Sequence, residues 1–164
     1  MRPEELLYKE SPMLILLFKE HQYGDSECKH LAVSEDPTSI VSYAERHKTD
    51  RRRAHDLQTE LQYIISDYVK AQPFEIPEPV YDKILTLPNT TEERAERTKA
   101  KGLWKAKHNA WVLEAGKHYD TIVALAIEEL RKKHPELPSD FRHNPSHTIS
   151  YDEGKYEIEE IELL

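Results

Sequence analysis

The apolar positions in the first part of the chain follow the pattern of two β-strands. Residues 13–18 form a continuous apolar run, and residues 31–33 are apolar again after a polar stretch that contains the turn signal Gly24-Asp25. This pattern predicts a β-hairpin whose turn lies within residues 21–26. Because the first strand is apolar on both of its faces, we expect it to occupy a central position in a covered sheet.

The last part of the chain repeats this pattern and predicts a second hairpin. Its strands are residues 148–151 and 156–164, joined by a turn at residues 152–154. The apolar side chains of the last strand fall into two pairs on opposite faces: Tyr156 with Ile158, and Ile161 with Leu163. This change of phase predicts either a β-bulge or an edge strand that leaves the sheet.

The middle of the chain carries apolar residues at the three- and four-residue spacing of α-helices. Asp36 is a suitable N-cap and Pro37 a suitable first helical residue, so a helix is predicted over residues 37–48. A second stretch over residues 50–72 has one apolar stripe and stops before Pro73. The pattern leaves open whether these two stretches form one continuous helix.

A third and much longer helix is predicted over residues 91–133. It starts after the capping residues Asn89-Thr90 and ends before Pro135. Its apolar and aromatic stripe has helical spacing throughout and consists of Trp104, His108, Trp111, Ala115, Tyr119, Ile122 and Ala126. Residues 73–88 contain four prolines and predict an extended connector, with room for one helical turn near residues 80–85.

The order of these elements, two strands, then helices, then two strands, predicts an α+β fold. We expect an antiparallel sheet built from the N-terminal and C-terminal hairpins, with the central helices, including one long helix, packed on it or projecting from it. A chain of 164 residues suits one hydrophobic core. A single domain over residues 1–164 is therefore predicted, with sheet-forming ends (13–48 and 148–164) and a helical middle (50–134).

The composition argues against several classes of function. Four glycines in the whole chain are too few for the phosphate-binding loops of nucleotide-binding folds. A net charge of −8 disfavours non-specific binding to nucleic acid or to anionic membranes. The single cysteine, Cys28, has no partner within the chain, which predicts a reducing compartment. Because the apolar runs are also too short to span a membrane, we expect a cytoplasmic protein.

Residues that suit catalysis or metal binding are few. His143 and His147 have the H-x₃-H spacing found in zinc sites, with His134 nearby, but a structural zinc site needs four ligands. Cys28 and His30 share one face of a predicted strand, although the sequence shows no residue placed to activate the thiol. We therefore predict no catalytic residue, no metal and no cofactor, and keep a metal- or thiol-dependent enzyme as an alternative hypothesis.

A basic strip on the long helix is the feature that most favours a nucleic-acid partner. The spacing places four side chains on one face, with Trp104 at its border: Arg94, Lys101, Lys105 and His108. Such a strip can hold a phosphate backbone. The net charge and the acidic residues 152–162 argue the other way, and a core stripe explains the two tryptophans more simply. Nucleic-acid binding is therefore the second hypothesis.

A non-enzymatic protein-binding module is the function that the whole sequence favours. The chain has no catalytic constellation, its surface is highly charged, and the long helix can offer an apolar edge to a partner. The last strand offers Tyr156, Ile158 and Ile161 for pairing with a partner or with a second copy of the chain. The acidic residues 152–162 suit a basic partner.

The opening run at residues 14–20 (LILLFKE), the helix start at Asp36 and the closing run at residues 158–163 (IEEIEL) resemble short orphan proteins of bacteriophages and mobile elements. In proteins of that type, a hairpin is followed by a helix and the chain closes with a strand. The resemblance covers residues 13–48 and 148–164 and is structural. It implies a small accessory or regulatory protein, such as an inhibitor or immunity factor, and it assigns no functional residue.

Overall fold

The computed structural model describes residues 12–22, 25–80 and 90–161. Its elements follow the order β1 (Met13–Gln22), β2 (Asp25–Ser34), α1 (Pro37–Ala71), α2 (Thr91–Lys133) and β3 (Lys155–Ile161). Three antiparallel strands in one sheet, together with two helices, confirm the predicted α+β class. In the described ranges, neither helix holds a stretch long and apolar enough to cross a membrane.

The residues group into two compact units. The first consists of the residues up to Thr59 together with those from Ser146 onward, and it contains the sheet. The second consists of residues 60–145 and contains α2. The organisation of the chain as a single domain stays a prediction.

The three strands are ordered β2-β1-β3, and both pairings are antiparallel. The predicted N-terminal hairpin is confirmed, with strands longer than the apolar runs indicated, because polar residues continue the pairing toward the turn. β1 is the central strand, as its two apolar faces predicted. Leu16, Leu17 and Phe18 are successive in sequence and all buried, which requires cover on both faces of the strand.

The predicted C-terminal hairpin is wrong, because only one strand forms at that end. Residues 148–151 adopt no strand. The Thr148 carbonyl accepts a hydrogen bond from Nε2 of His55 on α1 at 3.1 Å, and Arg51 of the same helix donates to the Glu153 carbonyl. Side chains of a helix thus take the place of a neighbouring strand as hydrogen-bond partners, and β3 pairs with β1 instead.

The last strand holds an edge position and has no bulge over Lys155–Ile161, while Leu163 lies outside the described residues. β3 pairs with β1 in continuous register along all seven of its residues. The break in register lies between β1 and β2, at Leu16 and Leu17, where Leu31 is the extra residue. The register of β3 places Ile158 and Ile161 on opposite faces, as the sequence indicated.

The two helical stretches predicted before Pro73 form one continuous helix, α1. Its first turn is capped by Asp36, whose Oδ1 accepts a hydrogen bond from the Thr38 N–H at 3.0 Å. Where the two stretches meet, the Thr49 hydroxyl donates to the Glu45 carbonyl one turn earlier at 2.9 Å. The Thr49 side chain thus bonds within the helix, which continues through this polar junction.

Each unit has its own buried apolar side chains. In the first unit, Leu14 and Leu16 of β1 form a cluster with Ile40 of α1. Four partly buried side chains pack against this cluster: Leu31, Ala32, Ala44 and Tyr156. In the second unit, the buried residues come from the end of α1, from α2 and from the segment after it: Leu61, Ile64, Ile65, Ile122, Ala126, Leu130 and Leu137.

α2 has the bounds that the sequence predicted. At its start, the Glu93 carboxylate accepts a hydrogen bond from the Thr90 N–H at 2.7 Å, and the hydrogen bonds from Thr90 lower the pKa of that carboxyl. At its end, His134 pairs with Glu60 of α1 at 2.8 Å. The start of α2 is thus capped by a side chain, while at its end the His134 backbone N–H bonds to the Leu130 carbonyl and Pro135 follows.

Candidate functional site

β3 offers an exposed edge in the first unit. Among the described residues it pairs only with β1, so its outer edge carries backbone N–H and C=O groups that no strand uses. Four of its seven side chains are exposed: Lys155, Ile158, Glu159 and Glu160. Ile158 is 47% exposed and lies between acidic residues. The edge therefore combines available backbone groups with apolar and acidic side chains.

The inner side of β3 is anchored to the rest of the first unit. Lys19 of β1 donates to the Glu157 carboxylate at 2.9 Å, and this hydrogen bond raises the pKa of Lys19. The Tyr156 hydroxyl lies 2.7 Å from Nδ1 of His47 on α1. The Phe18 ring packs against both of these rings, at centroid distances of 5.0 and 5.2 Å. These contacts hold β3 in place along the edge that it shares with β1.

A stripe of polar side chains on α1 holds the segment that leads into β3. The stripe repeats every four residues and consists of His47, Arg51, His55 and Thr59. Arg51 donates to the backbone carbonyls of Asp152 and Glu153, each at 3.1 Å. It also donates to the Glu20 carboxylate of β1 at 3.2 Å. Arg51 thus joins a helix, a central strand and the segment before β3.

The environment of His47 disfavours its protonation. Burial lowers the pKa of the imidazole, and the nearby Arg51 guanidinium lowers it further. Neutral Nδ1 can then accept a hydrogen bond from the Tyr156 hydroxyl, while burial raises the pKa of that phenol. Tyr43 stacks on the imidazole at a centroid distance of 6.5 Å, and the Asp50 carboxylate partly opposes the effect of Arg51.

This geometry predicts that mild acid removes part of the stability. Because the folded-state pKa of His47 lies below its ordinary value of 6.5, the unfolded chain takes up the proton first. The contribution of His47 is therefore present above that pH and is lost as the pH falls through the folded-state pKa. A His47→Gln variant should lose less stability in urea unfolding than the unmodified protein between about pH 7 and about pH 5.

The control for this experiment is His30→Gln, at an exposed position of β2. Its stability should follow that of the unmodified protein across the same pH range. Parallel stability curves for His47→Gln and the unmodified protein would show that His47 does not couple folding to pH.

α2 carries a second candidate surface, in the second unit. Trp104, His108 and Trp111 share one helical face and are half-buried. The rings of Trp104 and His108 stack with centroids 4.8 Å apart. The connector after α1 covers this face: Trp104 donates to the Pro79 carbonyl at 3.0 Å, and Trp111 donates to the Ile76 carbonyl at 2.8 Å. The connector thus accepts a hydrogen bond from the N–H of each indole ring.

The basic strip and its aromatic border have different surroundings. The basic side chains are exposed: Arg94, Lys101 and Lys105. Trp104 is stacked on His108 and bonded to the connector, and Nε2 of His108 lies 3.1 Å from the Glu78 carboxylate. The cations are therefore available to phosphates, whereas Trp104 and His108 are engaged within the chain. A base that stacks here would have to displace contacts that Trp104 and His108 already make within the chain, and nucleic-acid binding stays a prediction.

The residues considered for metal binding and nucleophilic chemistry lie apart from one another and contact different partners. The late histidines contact three different partners: His134 the Glu60 carboxylate, His143 the Tyr119 ring, and His147 the Thr59 hydroxyl. Cys28 is exposed on β2. Within the part of the chain that the structure describes, no group of three or more His, Cys, Asp or Glu side chains is placed to hold a metal ion.

Comparison with known proteins finds no relative: the chain matches no protein-family model, no curated protein and no solved structure.

Proposed function

We propose that this protein is a non-catalytic binding module that takes up an extended segment of a partner protein along the outer edge of β3. The single observation that supports this most is the exposed edge itself, with Ile158 presented beside acidic residues. Such an edge accepts an additional strand through backbone hydrogen bonds, and its side chains select the sequence of that strand. An accessory or regulatory role, such as that of an inhibitor or immunity factor, suits a module of this kind.

The charge of the edge favours a basic partner. Glu159 and Glu160 are exposed on opposite faces of β3, next to Ile158. Opposite charges that face each other across two strands stabilise the pairing by roughly 0.2–1 kcal/mol per pair, and like charges destabilise it. A partner strand with lysine or arginine opposite the two glutamates, and with an apolar residue opposite Ile158, is therefore favoured.

A second copy of the chain is a less favoured occupant of this edge. In an antiparallel two-fold pair centred on Ile158, Glu157 of each copy faces Glu159 of the other. Two such contacts between like charges destabilise the pair. Acidic side chains on an edge strand thus protect it against self-association while leaving it open to a basic strand.

The test uses the full chain and a labelled peptide designed from the register of β3. The sequence Val-Lys-Lys-Val-Lys-Val-Glu places a complementary residue opposite each position from Ile161 to Lys155 in an antiparallel pair. In the control peptide, Val-Glu-Glu-Val-Glu-Val-Lys, every charge is reversed. We expect saturable binding of the first peptide only, measured by fluorescence anisotropy. Hydrogen exchange of the β3 amides should slow in the complex, because the new strand occupies their outer edge.

Two charge-reversed double variants distinguish the effect of the β3 edge on peptide binding from the effect of net charge. Glu159→Lys combined with Glu160→Lys should weaken binding of the basic peptide at least about fivefold, since two attractive pairs become repulsive. Asp67→Lys combined with Asp120→Lys changes the net charge equally at exposed helical positions and should leave the affinity unchanged. Equal weakening by both double variants would mean that binding follows net charge. Absence of saturable binding up to about 1 mM peptide would also refute the proposal.

A further inference from the structure

A short segment without helix or strand lies along α2 in the second unit. We call it the strap and define it as residues 72–80. Three of its backbone carbonyls accept hydrogen bonds from ring nitrogens of α2: Trp104 donates to Pro79 at 3.0 Å, Trp111 to Ile76 at 2.8 Å, and His118 to Gln72 at 2.7 Å. The strap therefore runs antiparallel to α2, and the helix holds it through its backbone.

The three hydrogen-bond donors on α2 span nearly the same length as the acceptor segment would in an extended, proline-rich chain. The donors Trp104, Trp111 and His118 are spaced by seven residues, so they span about 21 Å of helix at about 1.5 Å per residue. The acceptors Gln72 and Pro79 are seven residues apart, which corresponds to about 22 Å in a polyproline II chain at about 3.1 Å per residue. A chain in this conformation leaves its carbonyls free of internal hydrogen bonds. The helix face thus has the periodicity of a site for such chains.

The side chains around these hydrogen bonds have the matching chemistry. We call Trp104, His108, Trp111 and His118 the aromatic ladder. Phe74 of the strap lies against Trp111 and His118, at centroid distances of 6.0 and 5.5 Å. The Glu78 carboxylate lies 3.1 Å from Nε2 of His108. Aromatic rings that donate to the carbonyls of a proline-rich chain are a recurrent means of recognising such chains.

The strap is held from one side and is poorly covered on the other. None of its nine residues is buried, and only Phe74 and Pro79 are half-buried. Ile76 is 55% and Val80 71% exposed. A segment with so few buried contacts opens locally at low cost, whereas the helical ladder beneath it keeps its spacing. The same donors then become available to another segment of the same kind.

We propose that the aromatic ladder of α2 is a binding site for a proline-rich, acidic segment of a partner protein, and that the strap occupies it as a built-in competitor. This site is independent of the β3 edge. A ligand suited to it carries carbonyls at the spacing of Gln72, Ile76 and Pro79, with an aromatic residue at the position of Phe74. The strap lowers the apparent affinity for such a ligand by the fraction of time that it covers the ladder.

Intrinsic fluorescence reports directly on this site, because both tryptophans of the chain lie under the strap. The probe is a peptide with blocked ends and the sequence of the strap, Gln-Pro-Phe-Glu-Ile-Pro-Glu-Pro-Val. The strap is weakened in the full chain by the triple variant Pro73→Gly, Phe74→Ser and Pro77→Gly. We expect its tryptophan emission to shift to longer wavelength and the added peptide to reverse that shift. The triple variant should bind the peptide about tenfold more tightly than the unmodified protein.

Three controls keep the result specific. Val80→Gly, at the exposed end of the strap, should bind the peptide as the unmodified protein does. A peptide with serine for phenylalanine and glycine for each proline should not bind. Circular dichroism should show unchanged helix content in every variant.

Two outcomes would overturn the proposal. The first is equal or undetectable affinity in the unmodified protein, in the triple variant and in a variant whose residues 72–80 are alternating glycine and serine. The second is a dimer of the unmodified protein that the peptide dissociates, since the occupant would then be the strap of a second copy rather than a partner protein.

Discussion

Replacing Gly154 by alanine is expected to destabilise the protein by about 2–4 kcal/mol. Gly154 has a φ of +68°, a conformation that is unfavourable for residues with a side chain. A Cβ atom at this position would lie 2.6 Å from Cζ of Phe18 and 2.9 Å from the Lys19 carbonyl oxygen. Phe18 is only 3% exposed, and its ring packs against the rings of His47 and Tyr156. Urea unfolding followed by circular dichroism measures the loss.

The chain provides matched controls for this substitution. Gly102 and Gly116 lie within α2, and a Cβ atom added at either position meets no atom within 4 Å. Alanine at each of these positions is expected to stabilise the protein by about 0.5–1 kcal/mol, because glycine is unfavourable inside a helix. Replacement of glycine by alanine should thus raise the free energy of unfolding at Gly102 and Gly116 and lower it at Gly154. A neutral effect at Gly154 would mean that Phe18 and the turn before β3 adjust to the added methyl group.

Replacing Leu16 by alanine is expected to cost about 2–5 kcal/mol. Leu16 has no exposed surface and lies in the central strand, where it packs in a cluster with Leu14 and Ile40. Removal of its side chain leaves a cavity that β1 cannot close, because β1 is paired on both of its edges. The measurement is the change in the free energy of unfolding, with near-ultraviolet circular dichroism as a second probe of tertiary packing.

Val33→Ala is the control for this second experiment. Val33 belongs to the neighbouring strand β2 and is 56% exposed, so its truncation should change stability by less than about 0.5 kcal/mol. If the two substitutions had equal costs, Leu16 would not lie in the core of the sheet-containing unit.

The parts of the fold that sequence predicted well are those defined by local chemistry. The bounds of α2 follow from Thr90 at one end and Pro135 beyond the other, and neither depends on distant contacts. The central position of β1 follows from its apolar residues on both faces, which only a covered central strand satisfies. The start of α1 follows in the same way from Asp36 and Pro37.

The C-terminal hairpin failed because its hydrogen bonds are distant in sequence. Residues 148–151 have the composition of a strand, but His55 takes the Thr148 carbonyl from 93 positions away. Arg51 reaches the Glu153 carbonyl from 102 positions away. An alternating pattern of residues cannot show that the side chains of a helix will supply the hydrogen-bond partners of these backbone carbonyls. The four-residue repeat of polar donors on α1 was the available signal.

For the candidate surfaces, the sequence indicates which side chains share a face but not what covers them. The shared face of Trp104, His108 and Trp111 follows from their spacing, and the shared face of Tyr156 and Ile158 follows from their alternation. That Tyr156 packs against Phe18 and His47 while Ile158 is exposed does not follow from that alternation. The cover over the tryptophans required knowing that the proline-rich connector turns back along α2. Seven residues of an extended connector and fourteen residues of a helix have nearly equal lengths. This comparison can be made from the sequence alone.

The pairing of β1 with β3 sets the order in which the sheet can be completed on the ribosome. β1 ends at Gln22 and β3 begins at Lys155, so 132 residues must be added between them. At about 5–20 residues per second, this takes on the order of ten seconds. Throughout that time an apolar strand has one unpaired edge, at which nascent chains from neighbouring ribosomes can pair. The last strand to be synthesised is thus the one that closes this edge.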